Sequence, residues 1–177
     1  MNAPSNLELR RLRPEDAPPY RTLMLEAYER HPDAFTSSVA ERASLPLAWW
    51  EARVKPDPHP LEMVIGAFRG SRLSGVAGLS FESREKARHK AHMFGMYVPP
   101  QQRNGGIGKS LVLSVLEHAR QRAGVRLVQL TVTQGNAAAQ SLYERCGFVP
   151  FGLEPFAVAV GQEFVSKVHM WCDLRAD

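Results

Sequence analysis

Apolar positions along the chain alternate between two spacings. Leu111, Val112, Val115, Leu116 and Ala119 recur every three or four residues, which predicts a helix from near Gly108 to a stop at Gly124. His92 to Val98 reads as a strand, stopped by Pro99-Pro100 because proline cannot donate to a ladder. Before it, Leu61–Phe68 and Leu73–Phe81 are apolar runs separated by Arg69-Gly70-Ser71, the pattern of an antiparallel hairpin. After it, Arg126–Thr133 is a further strand, and 148–160 and 163–174 form a closing pair that turns at Gly161. Leu7–Arg11 supplies a first strand. Pro14-Glu15-Asp16 then opens a helix with Leu23, Met24, Ala27 and Tyr28 on one face, ending at His31-Pro32-Asp33. A loop follows, and then a short helix over 47–54 that carries Trp49 and Trp50 and breaks at a proline-rich run up to Pro60. Asn136 can cap a last helix that runs to about Cys146, with Gly147 just past its end. The polar stretch 82–90 is an exposed connection. There are no repeats, low-complexity segments or linkers, so residues 1–177 read as a single α/β (α+β) domain.

Between the central strand and helix lies Arg103-Asn104-Gly105-Gly106-Ile107-Gly108-Lys109-Ser110. Glycines let the backbone approach a ligand, and the first amides of a helix have no internal partner. Those amides, the helix dipole and the charges of Arg103 and Lys109 make a pocket for phosphate. The alternative is a plain strand-to-helix turn, with glycine present for steric reasons alone. A P-loop is excluded, because the glycine it needs five residues before Gly108 is Arg103. A dinucleotide fingerprint from Gly106 fails at Leu111, where glycine or alanine is required.

The pattern that fits is Arg/Gln-x-x-Gly-x-Gly/Ala, filled by Arg103, Gly106 and Gly108, with Val98-Pro99-Pro100 before it and Leu111 after it. A second stretch, 136–148, matches Asn-x-x-Ala-x-x-Leu-Tyr-x-x-x-Gly-Phe at Asn136, Ala139, Leu142, Tyr143, Gly147 and Phe148. Together these resemble the GCN5-related N-acetyltransferase (GNAT) superfamily over roughly 61–174, most closely over 92–148. The resemblance implies a mixed, mostly antiparallel sheet of about six to seven strands, flanked by about four helices. It also implies a splayed central strand that holds acetyl-CoA. By the same likeness, residues 103–110 grip the pyrophosphate, Met96, Tyr97 and Val98 pair with the pantetheine arm, and Asn136 and Ala139 lie beside the cofactor.

Asn136 and Tyr143 are seven residues apart, about two helical turns, and so share a side. A phenol is protonated at neutral pH and can donate. In the family the matching tyrosine protonates the departing thiolate, so Tyr143 is the candidate general acid; packing beside CoA is its plainer role. Gly95 sits mid-strand, where a bulge or a close approach explains it, and the family's equivalent strand is bulged. One strand amide would then stabilise the oxyanion. Family members often place a glutamate base on this strand, where the present chain has His92. An imidazole accepts a proton near neutrality, and Glu82 is the competing candidate. His31, Phe35, Trp49 and Trp50 border the acceptor side by resemblance, and at least one of the adjacent tryptophans belongs to the core.

A formal net charge of +4 favours an anionic ligand such as CoA, yet without a block of like charges it does not argue for nucleic acid. No apolar run reaches a membrane span, and the first residues lack a signal peptide's apolar core. Cys146 and Cys172 are in no metal-ligand spacing and read as free thiols of a cytoplasmic protein. The expectation is acetyl transfer from acetyl-CoA to a small-molecule primary amine in a ternary complex, without a metal and with a homodimer as an option. Acetylation of a protein N-terminus or lysine is the first rival, and a non-catalytic acyl-CoA sensor is the second.

Overall fold

The computed structural model describes residues 7–175. One seven-stranded sheet runs in the order β1-β2-β3-β4-β5-β7-β6. The strands are β1 (Leu7–Arg11), β2 (Glu62–Arg69), β3 (Arg72–Phe81), β4 (Lys90–Tyr97), β5 (Leu127–Thr133), β6 (Val149–Val160) and β7 (Glu163–Asp173). Every neighbouring pair is antiparallel except β4–β5, whose parallel pairing requires the long crossover that helix α4 (Ile107–Gln121) provides. The other helices are α1 (Ala17–Arg30), α2 (Val39–Ala43), α3 (Leu47–Arg53) and α5 (Ala137–Arg145).

Away from edge strand β6 the sheet buries both faces, and the pleat sorts adjacent residues between them. Ile65, Leu79, Ala91, Val128 and Met170 pack with Leu111, Val112 and Val115 of α4, and Leu142 and Tyr143 of α5 join that layer. Val64, Phe68, Val76 and Tyr97 face the other way, onto Tyr20 and Met24 of α1 and Trp50 of α3. Among the described residues there are five α-helices where about four were expected. The addition is α2, a short helix in the stretch read as a loop. Ser38 Oγ accepts from the Glu41 amide, and the Glu41 carboxylate accepts from the Ser38 amide at 2.7 Å. That reciprocal cap satisfies two donors otherwise left open and stabilises a helix too short to form alone.

The central strand departs from regular pairing at Gly95. Phe94 sits opposite Gly78 and Tyr97 opposite Val76, so β4 carries one residue more than β3 between them. Gly95 holds φ at +57°, in the left-handed region, and takes up this bulge. On its other side β4 pairs with β5 only from Lys90 to His92, against Leu127 to Gln129. Beyond that point the two strands part. Among the described residues no helix is long and apolar enough to cross a membrane.

Candidate active site

The parting of β4 and β5 opens a cleft of about 1000 Å³. Its lining comes from α1, the segment after α1, Arg42 of α2, Arg53 of α3, β4 from Met93 to Tyr97 with Val98 after it, the turn into α4, the end of β5, α5, and Lys167 of β7. At one end, the turn is built for an anion. Asn104 and Gly106 both take positive φ, at +64° and +76°, and nothing lies within 4 Å of a Cβ placed on Gly106. The first helical backbone bond runs from the Ser110 amide to Gly106 O at 3.0 Å. The amides of Ile107, Gly108 and Lys109 therefore have no helical acceptor, and Lys109 brings its charge to the same wall. This donor set fits a diphosphate. Asn104, Gly106, Ile107 and Gly108 also line the cleft, whereas Gly105 and Ser110 do not. Gly105 instead packs against the Arg69 side chain.

Arg103 has another duty here. Its Nε donates to Val98 O at 3.0 Å, and Nη2 lies 3.3 Å from His31 Nε2. The guanidinium thus braces the end of β4 against the turn and the end of α1. Tyr97 also lines the cleft; its hydroxyl donates to Glu26 Oε1 at 3.0 Å, and burial with that carboxylate raises its pKa to about 12.

Midway along the cleft, Tyr143 reaches from α5 to the bulged strand, where its hydroxyl donates to Met96 Sδ at 3.6 Å. Desolvation pushes its pKa up to about 12, so the phenol keeps its proton across the physiological range. Asn136 caps α5, its side-chain oxygen accepting from the Ala139 amide at 3.2 Å, and both residues line the cleft. Cys146 and Cys172 are free and buried.

His92 and Glu82 are brought together, with Nε2 3.7 Å from Oε1, and both are partly exposed. Neither lines the cleft. The pleat does put His92 on the same side of β4 as Phe94, which lines it. Among the described residues no three His, Cys, Asp or Glu side chains gather where a metal ion could sit.

The cleft also contains groups that the sequence reading passed over. Lys167 is 5% exposed, and its ammonium donates to Asp33 O at 2.9 Å, Ala34 O at 3.0 Å and Thr133 Oγ1 at 2.9 Å. Burial lowers its pKa, and Asp33 and Glu154 oppose that shift. A lysine within an apolar strand pattern was the only cue to it. Arg42 and Arg53 line the opposite end. Both stack on the Trp49 ring, their guanidinium carbons 4.7 and 4.9 Å from its centroid. Here the four-residue step from Trp49 to Arg53 along α3 was a legible signal.

Known proteins match this arrangement. The model of the "Acetyltransferase (GNAT) family" matches residues 20–148. An L-methionine sulfoximine/L-methionine sulfone acetyltransferase of Pseudomonas paraeruginosa is 35% identical over 132 residues, covering 72% of this chain and 67% of that protein. A mycothiol acetyltransferase of Salinispora arenicola is 29% identical over 147 residues, 82% of this chain. The chain spans only 45% of that relative's length. Among solved structures, yncA of Salmonella typhimurium, with its cofactor acetyl-CoA, superposes with a TM-score of 0.78 at 21% identity, covering 98% of this chain and 96% of that one. With its sheet order, its bulged and splayed β4 and a family match over most of its length, this chain belongs to the GNAT acetyltransferase family.

Proposed function

We propose that the protein transfers the acetyl group of acetyl-CoA to the primary amine of a small molecule, by direct attack in a ternary complex. The observation that carries this reading is the cleft itself. It runs from the unpartnered amides of α4, past the bulge at Gly95, to Tyr143 and on to a separate end lined from α1 and α3. Bound acetyl-CoA supplies an activated acyl carbon. The α4 amides and Lys109 hold its diphosphate, and an amide of the bulged strand near Met96 to Val98 donates to the thioester oxygen as negative charge develops there. Tyr143 Oη delivers a proton to the leaving sulfur. The amine loses its proton to His92 or Glu82, which adjoin each other, relayed by solvent because neither lines the cleft. Small-molecule acceptors are supported by the two curated relatives, whose names specify mycothiol and methionine sulfoximine or sulfone.

The test is free-thiol release from acetyl-CoA, run against a panel of small amines and a panel of peptides. Turnover with small amines is the expected result. Turnover with peptides alone moves the acceptor to proteins, and tight CoA binding without turnover makes the chain a sensor. The free buried thiols favour a cytoplasmic setting. Edge strand β6 leaves Val149, Phe151, Leu153 and Phe156 exposed, which favours a homodimer that sedimentation velocity can measure.

A further inference from the structure

At the end of the cleft away from α4, two guanidinium groups share one indole. Arg42 of α2 and Arg53 of α3 both stack on Trp49, and Arg53 also lies 5.4 Å from the centroid of Phe94. Arg53 is paired with Glu62. The Arg42 side chain has no hydrogen bond or ion pair to any described residue, and the Nε atoms of both arginines are buried without a partner. Leaving buried donors open costs about 1–3 kcal/mol each, so such groups call for a partner. Glu62 pairs with Arg53 alone, and among the described residues Asp33 is the only acidic one lining the cleft. Tyr20 and Tyr28 line the same end, and both arginines lower the pKa of each tyrosine against the upward push of burial.

We propose that this end is a carboxylate site and that the acceptor is an amino acid, an amine carrying its own carboxylate. The inference rests on the acetyl-transfer reading and names the substrate class of that site. A planar guanidinium held flat by an aromatic ring presents its fork of donors in a fixed direction, the geometry that selects carboxylates. Phe94, the ring beside Arg53, directly precedes the bulge at Gly95. A carboxylate held at Arg42 therefore leaves the amine of the same small molecule close to the strand amides that polarise the thioester. A polyamine, an aminoglycoside or a lysine-rich peptide would instead meet uncompensated positive charge.

The experiment compares amino acids with their decarboxylated counterparts, such as methionine with 3-(methylthio)propylamine and phenylalanine with phenethylamine. Thiol release from acetyl-CoA gives kcat/KM for each, in the native protein and in Arg42→Met and Arg42→Lys. The expected result is a preference of roughly tenfold to a hundredfold for the acid of each pair. That ratio collapses toward one in Arg42→Met, through KM of the acid, and is partly kept in Arg42→Lys. CoA affinity measured by calorimetry verifies that each variant is folded. Amines that match or exceed their acids overturn the proposal, as does a ratio that survives Arg42→Met. So does a native protein that acetylates other amines but no amino acid, which leaves the acetyl-transfer reading standing. Failure to bind CoA or release thiol with any acceptor brings down both.

Discussion

Tyr143 is the side chain whose surroundings suit its assigned step most directly. Desolvation against α5 and β4 holds it protonated, with a pKa of about 12, and its hydroxyl already faces a sulfur atom at Met96. Tyr143→Phe is expected to lower kcat by roughly 10²–10⁴-fold while CoA affinity changes little, which pre-steady-state thiol release and calorimetry separate. Because the folded pKa lies so high, Tyr143 stays in its acid form below about pH 11. The pH profile of kcat should therefore show no falling limb from this group in the ordinary range. Gly106 is the second decisive position. Its φ of +76° strains any L side chain, and the open space at its Cβ lies beside the amides proposed to hold the diphosphate. Gly106→Val should abolish measurable CoA binding and destabilise the fold by about 1–3 kcal/mol, read by calorimetry and denaturant titration. Both residues were legible from motif spacing. The brace formed by Arg103 was not, because a charged residue in a phosphate motif gives no sign that it will also hold Val98 O and meet His31.

Among the elements, β4 and β7 shape the cleft. The bulge was readable from a glycine in mid-strand, yet the parting of β4 from β5 after His92 depends on the pairing of strands far apart in sequence. β7 contributes Lys167, which ties Asp33 and Ala34, in the segment after α1, to the end of β5. Lys167→Met should release that segment, costing about 2–5 kcal/mol because two carbonyls and a hydroxyl lose a charged donor, and should raise KM for the amine more than it affects CoA binding. The accompanying pH dependence has a definite sign. With the folded pKa below the unfolded value near 10.5, the folded state sheds its proton first as pH rises. The native protein should then gain stability relative to Lys167→Met from the folded pKa up to about pH 10.5, as denaturation midpoints across that range will reveal. The α2 helix was within reach of the sequence, since Ser38-x-x-Glu41 is a capping signature.

At the scale of the molecule, two apolar layers clamp one sheet, and an ion pair fastens its first strand. Arg10 holds both Asp16 oxygens, at 2.7 and 2.8 Å, and the Arg13 amide donates to the same carboxylate. The Arg10 guanidinium keeps the carboxyl of Asp16 below its ordinary range. Stability from this pair is complete above the unfolded value near 3.8 and is lost as pH falls through the depressed folded value. Asp16→Asn should therefore lower the denaturation midpoint at pH 7, by about 1–3 kcal/mol, and match the native protein once pH is below that folded value. What the sequence by itself determined was local: the strand and helix periods, the turn whose glycines leave helix amides open, and the tyrosine set at helical spacing from its cap. Those features depend on residues within a few turns of one another, so the chain's order is enough to display them. Tertiary structure alone decided that β4 leaves β5, that Lys167 reaches the segment after α1, and that Arg42 of α2 meets the Trp49 indole of α3 at the cleft's far end. Each joins elements whose contact depends on how the sheet and its two layers close, and no short-range pattern encodes that closure.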